Sequence, residues 1–268
     1  MNVKEMNIIR NVLSSLSEGG LVSTGNPQEI IGLISVDEIG GKPWGPTVYI
    51  ERNGEEVRAI INKYDLQKTL PENILNFLVG HSINRKNDNR NVDNYVIADN
   101  LSLLLSAKKI ASERGIDSYI LTSSLDCEAR DAGFFLASIA SEISEFGRPF
   151  KSPCLLIIGG EPTVRLSGRN KGLGGRNQEL CLAASIKLNK KNRVTILSVG
   201  TDGTDGPTEY AGAIIDQTTP DLASKLGLDL DLYLKTHNSS EALSKLNCTL
   251  LTSNTRTNLM DVVLVYVN

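Results

Sequence analysis

Between Tyr95 and Ile158 strand-like and helix-like segments alternate without interruption, and this alternation restricts the fold more than any other feature of the sequence. Tyr95 to Ala98 reads as a strand and Asn100 to Arg114 as a helix; Ser118 to Thr122 reads as a strand and Glu128 to Glu145 as a helix; Cys154 to Ile158 is again a strand. Helices of that length between strands give the chain room for right-handed crossovers that join parallel neighbours. The fold class expected is therefore α/β: a parallel, Rossmann-like sheet with flanking helices.

The flanking sequence adds elements of both kinds. On the N-terminal side, Ile8, Ile9, Val12, Leu13 and Leu16 share one helical face, and Gly19-Gly20 ends that helix. Ile30 to Val36 reads as a short buried strand, and Glu55 to Tyr64 and Pro71 to Val79 read as helices, the second opened by its proline. His81 to Asn94 is polar and reads as a surface loop. After Gly160 the pattern changes. A short strand at Thr163 to Leu166, a glycine-rich loop, a helix from Asn177 to Leu188, a strand at Val194 to Val199, short helices across Leu222 to Leu246 and a terminal strand at Val262 to Val267 follow. The last is apolar at nearly every position, which predicts a strand covered on both faces. These residues predict a second, smaller α/β domain with a boundary near Lys151, giving domains over 1–150 and 151–268.

The 268 residues carry a net charge of −3, with 40% hydrophobic and 22% charged residues, a balance that suits a globular chain and gives no electrostatic footprint for nucleic acid. Cys127, Cys154, Cys181 and Cys248 form no C-x-x-C pair and sit in or beside apolar runs, as small buried hydrophobes do in a reducing compartment. No apolar run approaches the ~20 residues of a membrane span, and the first 17 residues lack the apolar centre of a signal peptide. The expected location is cytoplasmic.

Chemistry concentrates in three loops, each leaving a predicted strand, which is where ligands bind in open α/β sheets. In Gly159-Gly160-Glu161-Pro162-Thr163 the glycines let a ligand approach the backbone, and Glu161 can hold a metal or a substrate hydroxyl; a tight turn with a solvated glutamate is the plainer alternative. The loop from Ser167 to Glu179 is basic and opens a helix, so its backbone N–H groups favour an anion and Arg176 can grip a phosphate or carboxylate; a solvated loop is the alternative. Gly172-x-Gly174 lacks the third glycine of a dinucleotide fingerprint, and no Walker-type G-K-[ST] follows. In Gly200 to Thr208, Asp202 and Asp205 can converge on Mg²⁺ or on hydroxyl groups, or simply form two Asp-Gly turns. His81 and His237 both read as surface residues. Together the three loops suggest phosphoryl transfer, or binding of a phosphorylated ligand, in which positioning and charge neutralisation dominate.

Taken in order, Gly159-Gly160-Glu161-x-Thr163-Val164, Gly174-Gly175-Arg176-Asn177-Gln178-Glu179-Leu180, Gly200-Thr201-Asp202-Gly203-x-Asp205-Gly206-Pro207-Thr208, Ala211-Gly212-Ala213 and Thr257-Asn258-x-x-Asp261 resemble the C-terminal MOFRL domain of class II glycerate 2-kinases. Upstream, Glu128-Ala129-Arg130, Gly45-Pro46-Thr47 and Asn7-Ile8-Ile9-Arg10 through Gly19-Gly20-Leu21 resemble parts of that family's preceding domain. The resemblance covers nearly the whole chain. It implies an ATP- and Mg²⁺-dependent kinase acting on the 2-hydroxyl of D-glycerate in a cleft between two domains. Carried over, it makes Arg176 the catalytic candidate. Gly159, Gly160, Glu161, Gly174, Gly175, Asn177, Glu179 and Thr201 become candidates for binding substrate or phosphate, and Asp202 and Asp205 candidates for metal.

The departures lie in loops. The family's Gly-Lys-Ala motif with its catalytic lysine, and its Ser-Gly-Gly-Gly-Ser loop, have no counterpart in these residues; Glu18 stands in place of a lysine, Trp44 in place of a serine, and Ser253-Asn254-Thr255-Arg256 in place of Gly-Pro-Thr-Gly. The expectation is a chain that begins inside the family's first domain. Its activity would then need an N-terminal portion or partner chain, and the chain alone would self-associate into a homo-oligomer or be marginally stable. The alternative is a non-catalytic remnant that binds a small anionic metabolite or serves as an interaction module.

Overall fold

The computed structural model describes residues 3–24, 29–50, 54–80, 92–166 and 172–268. The loop residues Ser167 to Lys171 and His81, singled out above, lie outside them. The chain divides into two compact units, Met1–Ile34 with Pro43–Ile97, and Ser35–Lys42 with Ala98–Asn268.

The first unit holds helices α1 (Val3–Leu13) and α2 (Gly20–Thr24), strand β1 (Ile30–Ser35), helices α3 (Gly54–Lys63) and α4 (Glu72–Gly80), and strand β2 (Val92–Ala98). The helical periodicity holds in part: Val12, Val57, Ile61 and Leu78 meet in a small core with Ile8, Ile9, Ile74 and Leu75 packed around it, but α1 stops at Leu13, Leu13 and Leu16 are exposed, and Gly20 opens α2 rather than ending α1. Lys63 and the Tyr64 hydroxyl both bond the Glu5 carboxylate, at 2.7 and 2.6 Å, and tie α1 to the end of α3. β1 and β2 form a two-stranded ribbon. Gly32 faces Asn94, so Ile31 and Leu33 share the opposite face with Tyr95 and Ile97. All four are more than half exposed. The strand read over Ile30 to Val36 forms over Ile30–Ser35, and apart from Gly32 and Val36 its residues are not buried: the helices of this unit bury their apolar faces against one another and leave the ribbon out of their core.

The second unit contains α5 (Asn100–Glu113), β3 (Asp117–Leu125), α6 (Ala129–Phe146), β4 (Cys154–Gly160), α7 (Arg176–Lys187), β5 (Val194–Gly200), β6 (Gly212–Asp216), α8 (Thr219–Lys225), α9 (Leu230–Lys235), α10 (Ser239–Lys245), β7 (Thr249–Leu250) and β8 (Asp261–Val267). Its sheet runs β3-β4-β8-β5-β6-β7. The α/β class stands, and β3 and β4 are parallel neighbours as the alternation predicted. The sheet is nonetheless mixed, because the apolar terminal strand β8 inserts between β4 and β5 and runs antiparallel to both. β6 and β7, unread in the sequence, extend it by antiparallel pairing. Thr163 to Leu166 forms no strand; Thr163 makes a single bridge to Glu128.

Alternation along β4 sends Cys154, Leu156 and Ile158 into the main core with α6 and α7, and turns Gly159 toward Asn100 and Leu104 of α5. Helices therefore cover both faces. α5 starts with a capping box: the Asp99 carboxylate accepts from Ser102 N (2.8 Å), and the Ser102 hydroxyl accepts from Asp99 N (2.9 Å). α6 and α7 cross tightly because Gly133 has no side chain; a Cβ there would lie 2.3 Å from the Leu180 carbonyl oxygen. Cys154, Cys181 and Cys248 are buried as expected, whereas Cys127, at the polar entry to α6, is exposed. No helix among the described residues is long and apolar enough to cross a membrane.

Candidate active site

Three segments distant in sequence meet at Asp261. It is the first residue of β8, and its register partners are Gly160, the last residue of β4, and Gly200, the last of β5. The two-residue period that buries Ile158, Ile196 and Val263 in the main core puts all three on the α7 face of the sheet. With no side chain at either neighbouring position, the Asp261 carboxylate is reached by Arg176 from the first turn of α7. Arg176 Nε and Nη2 donate to Asp261 Oδ2 and Oδ1 at 2.5 and 2.9 Å. Arg176 Nη1 pairs with Glu161 Oε1 at 2.8 Å. The loop after β4, the start of α7 and the start of β8 are thereby joined through one guanidinium.

The charges in this cluster are unequally placed. The Asp261 side chain is 1% exposed and that of Arg176 34%. Burial pushes the Asp261 carboxyl up to about 6, against the pull of Arg176 and Asn177, and the charge of Asp205 adds to the rise. Burial also opposes the Arg176 charge, but Asp261, Glu161 and Asp205 hold the guanidinium above its ordinary value. The ion pair thus favours the arginine's charge without fully compensating the carboxylate, which lies deeper.

α7 has no cap of its own, since its N-cap residue is Gly175. The cap comes from Asp205, whose Oδ1 accepts from Asn177 N and Nδ2 (3.0 and 3.2 Å) and whose Oδ2 accepts from Gln178 N and Nε2 (2.8 and 3.0 Å). A Cβ at Gly175 would fall 2.2 Å from Asp205 Cγ, so the glycine is what admits the carboxylate. Two sequence expectations are corrected here. At the helix start, where a phosphate was expected, the backbone N–H groups of Asn177 and Gln178 are taken by an internal anion. Asp205 is buried and saturated with donors, and it does not converge with Asp202 on a cation. The Asp202 oxygens accept from Thr204 N (2.9 Å) and Oγ1 (3.0 Å), on the Asp261 side of Gly200. Among the described residues, no group of three His, Cys, Asp or Glu side chains stands ready to hold a metal.

Other candidates face inward. Asn177 is fully buried, and its Oδ1 accepts from the Ser198 hydroxyl at 2.5 Å. Glu179 is buried, and its Oε2 lies 2.9 Å from His237 Nδ1. Burial raises the Glu179 carboxyl, with His237 and Arg130 opposing. His237, read as a surface residue, is instead buried, with a left-handed backbone (φ 53°) that turns its ring toward α7. The Thr201 hydroxyl donates to Met260 O and accepts from Leu259 N, both at 2.7 Å, so it fastens β5 to the approach to β8. Gly174 packs on Ser239, and Gly159 lies on the α5 face under Asn100. Of the candidate side chains, Glu161, Arg176, Thr201 and Asp202 are partly exposed, whereas Asn177, Glu179 and Asp205 are buried. Asp261 was visible in the sequence as part of a closing motif but not as a partner of Arg176. Its signal was an acid opening an otherwise apolar strand, a position that demands a buried counter-charge.

The model of the MOFRL family matches residues 154–261, and the domain of unknown function DUF4147 matches residues 1–79. The chain is 37% identical to a glycerate 2-kinase of Pyrococcus horikoshii, over 99% of this chain and 62% of that protein. It is 30% identical to a glycerate kinase of Macaca fascicularis, over 98% of this chain and 78% of that protein. The crystal structure of a glycerate kinase from Thermotoga maritima superposes with a TM-score of 0.86 at 34% identity, covering 100% of this chain and 64% of that one. The class is that of mixed α/β proteins, here with strand ends gathered around a buried aspartate paired with a half-buried arginine. Within it, this chain belongs to the glycerate kinase family. It spans about 62% of the length of the Pyrococcus relative.

Proposed function

We propose that the chain acts in glycerate 2-kinase chemistry, in which the 2-hydroxyl oxygen of D-glycerate bonds to the γ-phosphorus of ATP and ADP leaves. The observation that carries this reading is Arg176: a guanidinium fixed from behind by Asp261 at the ends of β4 and β5, its other edge met by the partly exposed Glu161 carboxylate. Such a group neutralises the charge of a transferring phosphoryl or a substrate carboxylate without reorganising. In this reading Glu161 and Asp202 border the ligand. Gly160 and Gly200 keep the floor open, and Gly174, Gly175, Asn177, Glu179, Thr201 and Asp205 hold α7 and β5 in register. The likeness to glycerate kinases over the whole chain supports the same reading, and the non-catalytic alternative gains no support from any feature of the site.

Mg²⁺ does not fit as an ion held by these residues alone, since Asp205 is consumed as a helix cap and Asp202 is the one partly exposed carboxylate on its loop. In this proposal Mg²⁺ arrives with the phosphates of ATP, as that ion commonly does. We further propose that the lysine and phosphate loop the family resemblance calls for are supplied by polypeptide outside these 268 residues, in the same or another chain, and that the protein works in the cytoplasm. The test is ADP release with D-glycerate and ATP, with ³¹P NMR to locate the phosphoryl on the product. Formation of 2-phosphoglycerate that requires Arg176 supports the reading. A phosphorylated 3-hydroxyl, or turnover indifferent to Arg176→Ala, sinks it.

A further inference from the structure

Arg176 carries two carboxylates of very different character. Asp261 is 1% exposed and sits in a strand paired on both sides, so it cannot leave. Glu161 lies one residue beyond the end of β4. Its backbone N–H is fixed to Leu125 O at 2.8 Å, while its side chain reaches over the site and stays 42% exposed. Its carboxylate takes the Nη1 edge of Arg176, the edge that Asp261 does not use.

We propose that Glu161 is an internal stand-in for the ligand, its carboxylate occupying the Arg176 edge that a substrate carboxylate or phosphate takes when it binds. This rests on the reading of Arg176 as the anion site and adds how that site is kept closed to weak anions. An exposed ion pair of this kind is weak and exchangeable, whereas a well-oriented anion can meet the guanidinium with two parallel bonds. Asp261, Glu161 and an incoming anion cannot all crowd one guanidinium without like-charge repulsion. Entry of the anion and departure of Glu161 are therefore one event. The cost of that exchange selects against anions that offer a single contact and favours a compact hydroxy-acid carboxylate or a phosphate.

The test is equilibrium binding of D-glycerate and of inorganic phosphate, by calorimetry, to four proteins: wild type, Glu161→Gln, Arg176→Ala, and Glu142→Gln as a control for net charge on an exposed carboxylate remote in sequence. Glu161→Gln keeps the shape and removes the competing charge. Its dissociation constant for both anions should fall roughly two- to five-fold, the worth of an exposed pair, with Glu142→Gln unchanged and Arg176→Ala not binding. Unchanged or weaker binding by Glu161→Gln overturns the stand-in role, as does an equal gain in Glu142→Gln. Absence of binding in both wild type and Glu161→Gln overturns it too. Binding that survives Arg176→Ala instead removes the underlying reading of the arginine, so the two failures are distinguishable.

Discussion

The ribbon of the first unit and the sheet of the second are built from similar residues and end in opposite states. Ile31, Leu33, Tyr95 and Ile97 stand in solvent on a two-stranded ribbon, whereas Leu156, Ile158, Ile196 and Val265 are sealed beneath α6 and α7. Strand propensity made both; burial came only where helices lay down on a sheet of adequate width. A two-stranded ribbon is marginal by itself, and an exposed apolar face of this kind marks an interaction surface or an aggregation liability. The groups of the candidate site follow the same division. Arg176 at the start of α7, Asp205 in the loop after β5 and Asp261 at the start of β8 are all held in the second unit, where each charge has a defined partner.

Substitutions in each unit put this contrast to the test. The largest effect is expected from Asp205→Ala, which leaves the buried donors of Asn177 and Gln178 without an acceptor. The second unit should lose about 3–5 kcal/mol, seen as a lower urea midpoint by circular dichroism. The sole tryptophan, Trp44, lies in the first unit, so its fluorescence transition should stay where it was; a joint shift would show that the units do not unfold separately. Next, Gly133→Ala should push α6 from α7 and cost about 1–3 kcal/mol; a neutral change would mean the helices can part freely.

A pH effect comes third. Asp261 titrates near 6 in the folded protein, above its ordinary 3.8. Its contribution to stability is therefore complete below about pH 4 and is lost as the pH rises through about 6. Asp261→Asn should flatten the stability profile across that interval, measured as urea midpoints between pH 4 and 7; a profile identical to wild type would remove Asp261 as the titrating group. The smallest effect is predicted for the ribbon. Leu33→Thr with Ile97→Thr should change stability by less than about 0.5 kcal/mol per site while reducing concentration-dependent association in sedimentation. A loss of several kcal/mol would show that these side chains are not free.

Much of the fold was legible because period and punctuation agree. The five segments from Tyr95 to Ile158 and the strand ending the chain all form close to where periodicity puts them. The direction of the last strand was not legible. An apolar run such as Val262 to Val267 announces burial on both faces, but nothing in it states which neighbours it will separate. The site was half legible. Arg176 and Glu161 emerged from loop chemistry, while Asp205 was misread because a carboxylate beside glycines looks alike whether it binds a cation or caps a distant helix. His237 was misread because polar neighbours suggested solvent, when its partner, Glu179, lies 58 residues away.

In the proposed function, Arg176 works because Asp261 holds it in one orientation and leaves one edge for the ligand. The most direct measurement is the steady-state rate of D-glycerate-dependent ADP release by Arg176→Lys beside wild type. Lysine keeps the positive charge but cannot bond Asp261 through two nitrogens and present a third. The account predicts a fall in kcat of at least about 100-fold in a protein whose circular dichroism is unchanged. A lysine variant that turns over at the wild-type rate would contradict it.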